Sequence, residues 1–312
     1  MPTPDRQPLV SVLIPAFKPR HFRQALDSVR AQTHEHLEIL VGDDSREGDI
    51  RRLVDEANDP RITYIPSHQV TNGSAKLNHL LLWHRAQGRY VRFMYDDDLI
   101  APRSTTVLLE LLQSVAGCAL SWHQRELIDE HGATTARYGV LTEERRAVMD
   151  RPLLLDNMAK FLNFVGEPSF TMLDRERVPH FSFSRYDRFD TAFLWDVAMY
   201  LATAEHGLVH GSGEFLGSFR VHQGQVSTRA NVFGAVEWEL VFRQELCAGR
   251  ATLAQCHEVL PKLLGLYQAS KHTLPELHGF QGRLLADAQA GRLIESTPAF
   301  LAHYQRLLDE HR

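Results

Sequence analysis

What this sequence does without narrows its function before any motif is weighed. There is no glycine before Gly42, which removes the Gly-x-Gly-x-x-Gly or P-loop turn that could follow a first strand and cradle a phosphate. The three cysteines, Cys118, Cys247 and Cys256, show no Cys-x-x-Cys spacing. They disfavour both a zinc site and a disulfide framework, and fit a reducing cytoplasm. No stretch approaches the ~20 apolar residues of a membrane span, and the start, Met-Pro-Thr-Pro-Asp-Arg-Gln-Pro, has no apolar signal core. The expectation is a soluble, cytoplasmic chain, with room for peripheral contact at the inner face of the membrane. Lys/Arg blocks are missing too, and the formal charge is −5, so nucleic acid is not the expected partner.

What is present is a chain of 312 residues, 44% of them hydrophobic, enough for a large core in one large or two coupled domains. The first third alternates strand and helix patterns. Leu9–Pro15 is a short apolar, β-branched run, and residues 21–33 place Phe22, Ala25, Leu26 and Val29 at helical spacing. Leu37–Val41, Ile62–Ile65 and Tyr90–Tyr95 read as further strands, with helices over Ile50–Ala57 and Leu77–Ala86 between them. Such alternation predicts a parallel, doubly wound α/β sheet, which binds ligands at the carboxyl ends of its strands. Pro15, Asp43, Asp44 and the triplet Asp96, Asp97, Asp98 all fall at those ends.

The triplet carries the most chemistry. Three adjacent carboxylates at a strand end repel unless a cation or solvent compensates them. Mg²⁺ or Mn²⁺ suits such oxygen ligands and takes its remaining ligands from water and substrate phosphates. A solvated acidic loop, with Asp98 capping a helix from near Pro102, is the other reading. Lys76, in Asn72-Gly73-Ser74-Ala75-Lys76, is either a phosphate ligand or a solvated lysine at a helix start. Asp43 and Asp44 could simply form an Asx turn and cap the following helix.

Farther along, Thr191–Thr203 is an apolar helical segment in which Asp196, Tyr200 and Thr203 draw one polar stripe. That stripe points to a cleft or a polar partner, such as a substrate; alternatively Asp196 caps the helix or pairs with Arg185 or Arg188. Residues 161–195 are rich in aromatics, including Phe181, Phe183, Tyr186 and Trp195. Most belong in a core, while Tyr186 or Trp195 could line a sugar subsite. Trp122–Gly132 reads as a strand entering a hairpin. Beyond residue 230 the pattern is helical over Val232–Cys247, Leu253–Ser270 and Pro298–His311, with no catalytic motif, and such an appendage could close over an acceptor, form a dimer surface or rest on a membrane.

A set of motifs in order adds a family resemblance over roughly residues 8–228. Val-Ser-Val-Leu-Ile-Pro-Ala-Phe (10–17), Ser28 followed by Gln32-Thr33, Glu38 to Ser45, Asn72-Gly73, Gly88-Arg89-Tyr90 running into Asp96–Asp98, Trp195-Asp196 through Gly207, and Phe219-Arg220-Val221-His222 resemble the inverting family two of glycosyltransferases with the GT-A fold. The resemblance implies a Rossmann-like, mostly parallel sheet with helices on both faces, plus a C-terminal helical region. It implies a donor half over 1–115, an acceptor half of the same domain over 116–230, and a helical extension over 231–312. The activity it implies is metal-dependent, inverting transfer of a sugar from a nucleotide-diphosphate donor, a UDP-sugar foremost, to a hydroxyl of a glycan or lipid-linked acceptor in polysaccharide biosynthesis, by a chain that could form a homodimer.

By the same resemblance Pro15, Ala16, Phe17 and Asp44 hold the nucleoside, with Asp43 supporting the turn. Asp96, Asp97 and Lys76 face the diphosphate. Asp97, Asp98 and His222 hold Mn²⁺ or Mg²⁺, although His222 could also be an ordinary loop histidine. Asp196 takes the acceptor proton, and Tyr186 and Trp195 touch the acceptor. The sequence departs from the family pattern at Tyr95, where many relatives carry an acid, at Ser45-Arg46, where Gly-Ser is usual, and at Trp195, where Glu is common. Two alternatives stay open: a sugar-phosphate nucleotidyltransferase, although its glycine-rich loop is absent, and a non-catalytic nucleotide-sugar-binding module.

Overall fold

The computed structural model describes residues 7–178, 185–222, 225, 233–270, 276, 280 and 283–310; Phe181 and Phe183 lie outside them. The chain forms two compact units. The first comprises Met1–Met149, Val165–Phe183 and Thr203–His222, the second Asp150–Phe164, Ser184–Ala202 and Gln223–Arg312.

The first unit opens with β1 (Val10–Ala16), α1 (Pro19–Arg30), β2 (Leu37–Asp43), α2 (Asp49–Ala57) and β3 (Ile62–Ile65). After the short helix α3 (His68–Thr71) come α4 (Ala75–Arg85) and β4 (Tyr90–Phe93). Strand β1 is apolar apart from Ser11, with all but Pro15 buried, as expected of a strand covered on both faces. Helix α1 has proline in its first turn and buries His21, Phe22, Ala25, Leu26 and Val29 along one face. Strands β2 and β4 flank β1, and β3 lies outside β2, all parallel. Ala16 pairs with Asp43, and Leu13 with Phe93, so continuing the ladder sets Asp96 level with Ala16. The sheet thus brings the acidic ends of β2 and β4 to one edge, on either side of the end of β1.

Strands β5 (Leu99–Ile100), β6 (Cys118–Ile128), β7 (Thr134–Tyr138), β8 (Arg146–Met149), β9 (Thr171–Asp174) and β12 (Leu208–Arg220) complete the sheet. Its main path runs β3-β2-β1-β4-β9-β6-β12-β5. Strand β9 is antiparallel to both β4 and β6, whereas β12 is parallel to β6. Strand β6 turns through Asp129–Gly132 into β7, the hairpin expected there. Helix α5 (Ser104–Ser114) packs against β6.

Among the described residues, the second unit contains α6 (Arg151–Phe161), the hairpin of β10 (Arg185–Tyr186) and β11 (Phe189–Asp190), most of α7 (Trp195–Thr203), and four further helices. These are Gly234–Cys247, Leu253–Ser270, Arg283–Gln289 and Leu293–Glu310. The first of the four is buried on every side over residues 234–245, which makes it the axis of this unit. Helix α7 starts at Trp195 and not at Thr191, because the N–H groups of residues 192–194 turn instead onto a buried carboxylate. No helix among the described residues is long and apolar enough to cross a membrane.

Candidate active site

At the acidic edge the loops after β1, β2 and β4 meet. Asp43, the last residue of β2, accepts from its own turn through Ser45 N (2.8 Å) and Ser45 Oγ (2.6 Å), and from Tyr64 Oη (2.8 Å). Burial and this carboxylate push the Tyr64 phenol up to about 12. Asp43 is therefore a turn residue. Asp44 is also buried, with its amide bonded to Ala16 O at 2.9 Å. Its Oδ1 accepts from Thr71 Oγ1, Gly73 N (3.1 Å) and His68 Nδ1 (3.3 Å). Among the described residues these side-chain contacts all end on Oδ1. Asn72 and Gly73 both adopt positive φ, 49° and 82°, and this tight turn is what delivers the Gly73 N–H to Asp44. Lys76 follows three residues later, exposed in the first turn of α4. Pro15 is half-buried, Ala16 buried and Phe17 53% exposed.

The three adjacent aspartates point to three different tasks. Asp96 Oδ2 accepts from the backbone of Phe17 and Lys18, both at 2.8 Å, and ties the β1 loop to the β4 loop. Burial, and then the Asp97 charge, push its carboxyl up to about 6. Asp97 Oδ2 lies 3.0 Å from His222 Nε2, while its backbone oxygen accepts from Arg220 Nε at 2.8 Å. Asp98 is wholly buried. Its oxygens accept from Ser169 Oγ (2.6 Å) and Arg220 N (3.2 Å), and burial, followed by the Asp97 charge, holds its carboxyl well above the usual range. Asp98 was expected beside the metal, but both of its oxygens are engaged by the protein and closed to solvent. Asp97 is instead paired with His222.

Two arginines brace these acids. Arg220, fully buried, reaches Asp129 O (3.1 Å), Glu130 O (3.2 Å) and Gln24 Oε1 (2.8 Å) in addition to Asp97 O. Arg92, also fully buried, bonds Ser104 Oγ (3.1 Å), Thr105 Oγ1 (2.9 Å) and Ser169 O. Ser169 thus joins Arg92 to Asp98, and its Oγ also accepts from Tyr95 N at 3.0 Å. The sequence assigned no role to Arg220, Arg92 or Ser169. The available signal was an arginine inside the apolar run of β4 and another inside the quoted motif around His222. His21, on α1, sets its ring 5.4 Å from that of His222, and burial, then the Arg220 charge, lower its pKa.

The pair Asp97 and His222 suits a small divalent cation: one carboxylate and one imidazole converge, and Mg²⁺ or Mn²⁺ accepts such a partial set when phosphates and water supply the rest. Among the described residues no group of three or more His, Cys, Asp or Glu side chains is arranged to hold a metal ion. A depression of about 380 Å³ lined by Gln87, Gly88, Arg89, Arg175 and Glu176 lies at the amino ends of the strands, opposite the aspartates. Arg89 there is already paired with Asp174 and Glu176.

In the second unit Asp196 stands in the first turn of α7, half-buried. Its Oδ2 accepts from Asn163 Nδ2 at 2.6 Å and its Oδ1 from Val197 N at 2.8 Å. Trp195 is half-buried beside it. Tyr186 is buried, its hydroxyl held between Arg151 Nη2 (3.2 Å) and Glu245. This places the ring in the core of the unit and not on a surface that a sugar could reach. Tyr200 is buried as well, so the expected polar stripe reduces in this unit to Asp196.

The profile of "Glycosyl transferase family 2" matches residues 11–176, more than half of the chain. The chain belongs to glycosyl transferase family 2. It is 25% identical over 226 residues to TuaG of Bacillus subtilis (strain 168), a glycosyltransferase named for teichuronic acid biosynthesis, covering 71% of this chain and 82% of that one. It is likewise 25% identical over 227 residues to WfaP of Escherichia coli, a UDP-Glc:alpha-D-GlcNAc-diphosphoundecaprenol beta-1,3-glucosyltransferase, covering 72% and 81%. The crystal structure of S. aureus TarS 1–349 in complex with UDP-GlcNAc matches 95% of this chain and 91% of that one, with a TM-score of 0.52 and 13% identity, which shows the GT-A fold. This family 2 chain is thus a glycosyltransferase with relatives in polysaccharide and glycan biosynthesis, and membership decides against a sugar-phosphate nucleotidyltransferase.

Proposed function

We propose that this family 2 enzyme transfers a sugar, with inversion and with Mn²⁺ or Mg²⁺, from a nucleotide-diphosphate sugar to a hydroxyl of a glycan or lipid-linked acceptor. The observation that carries the reading is the division of labour in the acidic triplet, in which Asp96 and Asp98 are bonded into the fold while Asp97 meets His222 at 3.0 Å at the carboxyl edge of the sheet. Asp44 Oδ2 accepts from the nucleoside, and the backbone around Ala16 and Phe17, fixed by Asp44 and Asp96, borders the base. Lys76 contributes a positive charge toward the diphosphate.

Asp97 and His222 hold the cation. When bound, it neutralises the charge that grows on the departing diphosphate. Asp98 keeps Asp97 and the β12 end in register through Arg220 and Ser169. Asp196 accepts the proton of the acceptor hydroxyl as that oxygen attacks the anomeric carbon from the face opposite the leaving group. One displacement inverts the centre. Trp195 borders the acceptor. The names of TuaG and WfaP support a cell-envelope polymer or a lipid-linked acceptor, which peripheral membrane contact would serve.

The test is incubation of the chain with UDP-, GDP- and dTDP-sugars, Mn²⁺ and a diphosphoprenol-linked monosaccharide, scoring nucleotide release and the anomeric coupling constant of the fresh product by proton NMR. The expected result is metal-dependent release with an inverted centre. A product that keeps the donor's configuration overturns the single-displacement reading, and release indifferent to chelator overturns the metal.

A further inference from the structure

Helix α7 is held at its start by a residue distant in sequence. The three residues ahead of it aim their backbone N–H groups at one carboxylate: Ala192 N lies 2.6 Å from Glu237 Oε1, Phe193 N 3.0 Å from Oε2, and Leu194 N 2.7 Å from Oε2. The Tyr304 hydroxyl lies 2.6 Å from Oε1, to which it donates, and 3.0 Å from Asp190 O. Glu237 is wholly buried on the helix Gly234–Cys247. Successive N–H groups that converge in this way form an anion-binding nest. A helix N-terminus favours negative charge as well. Here the protein supplies its own anion, from a segment in which the sequence shows no catalytic motif.

A carboxylate held by four donors has little freedom, because charge-assisted bonds of this kind are short and strong. Asp196 stands two residues beyond Leu194, in the first turn of the same helix. A shift of residues 192–194 therefore moves Asp196 with it. Glutamine would fill the same volume, but it offers one acceptor oxygen and turns an N–H₂ group toward backbone donors.

We propose that Glu237 is a positioning residue for Asp196: by gripping the backbone of residues 192–194 it fixes the first turn of α7, and with it the carboxylate that takes the acceptor proton. This inference rests on the reading of Asp196 as the acceptor base. All of its groups lie in the second unit, so it concerns turnover and not donor affinity.

The experiment compares Glu237→Gln, Tyr304→Phe and Asp196→Asn, and each of the first two combined with Asp196→Asn, in the full chain, reading kcat, donor KM and nucleotide-diphosphate affinity by calorimetry. Glu237→Gln is expected to lower kcat about 10–100-fold, the effect of misplacing a catalytic group by up to an ångström, with nucleotide affinity unchanged. Tyr304→Phe should lower kcat several-fold. In the Asp196→Asn background neither change should cost more, because the group they position no longer takes a proton. Equal losses in both backgrounds, or full kcat in Glu237→Gln, overturn the proposal and leave the base reading intact. Full turnover in Asp196→Asn alone removes the base reading itself, and Glu237 loses its role with it. Should Glu237→Gln fail to fold, the Tyr304→Phe pair decides the same comparison.

Discussion

His222 Nε2 lies 3.0 Å from Asp97 Oδ2, although 125 residues separate the two in the chain. Their meeting is prepared two residues earlier, where Arg220 N bonds Asp98 Oδ1 and Arg220 Nε bonds Asp97 O. The end of β12 is thus stapled to the loop after β4. The pair it brings together joins the middle acid of the triplet to the end of β12.

Replacing either member of this pair should separate binding from folding. Asp97→Ala and His222→Ala are expected to abolish the gain in UDP affinity that Mn²⁺ gives in calorimetry, and to lower turnover about 100-fold or more, with little change in the urea midpoint. Asp98→Ala should do the reverse. It strands the buried Arg220 N–H and Ser169 hydroxyl at a cost of about 1–3 kcal/mol each, whereas Asp98→Asn can still pair with both. Equal destabilisation by Asp97→Ala and Asp98→Ala would refute this partition.

Asp44→Ala should raise the donor KM, since loss of one charged hydrogen bond costs about 1.5–3 kcal/mol. The same change frees Thr71 and Gly73 from Oδ1, so Asp44→Asn is the cleaner comparison. Donor affinity at the wild-type level in both variants, with only the melting temperature lowered, would reduce Asp44 to a turn residue.

Asp196→Asn keeps the contact from Asn163 within reach but cannot accept a proton. Turnover is expected to fall about 10²–10⁴-fold, with UDP affinity close to wild type. Single-turnover measurements at saturating donor would show the loss in the chemical step, and a loss confined to donor KM would contradict the assignment.

The elevated Asp96 carboxyl gives a pH dependence with a defined sign. Its folded pKa of about 6 lies above the ordinary 3.8, so the fold favours the protonated form. That contribution is complete below about pH 4 and is lost as pH rises through about 6, at most about 3 kcal/mol in all. With divalent metal chelated, Asp96→Asn, which can still accept from Phe17 N and Lys18 N, should overtake wild type in stability between pH 4 and 7. Added Mn²⁺ should narrow the gap at pH 7. Urea titrations that show the same difference at pH 4 and pH 7 would place the cause outside Asp96.

Strand and helix placement in the first third was legible because the pattern there is local: buried parallel strands are continuous apolar runs, and the helices between them are amphipathic. Ile62–Ile65 is a strand from end to end, and the hairpin after Trp122 forms. The ordering of the acids was not legible. Three identical side chains in a row differ only in what the fold places opposite each, namely the β1 loop for Asp96, His222 for Asp97 and Ser169 for Asp98. Nor could local periodicity reveal that Tyr186 is sealed by Glu245, 59 residues away, or that α7 starts late because Glu237 claims its first amides.

The all-round burial of Gly234–Cys247 has a practical corollary for anyone shortening this protein. The family match ends at residue 176, and a boundary drawn there, or just before the C-terminal helices, looks natural on paper. It would nevertheless strip α6 of the helix Leu253–Ser270 that packs on it, exposing Leu154, Leu155, Met158 and Ala159. The later of the two cuts would also leave the amides of residues 192–194 without their acceptor. A truncated chain of that kind should be recovered as insoluble material, not as a smaller transferase, and tags are better carried at the ends of the intact sequence.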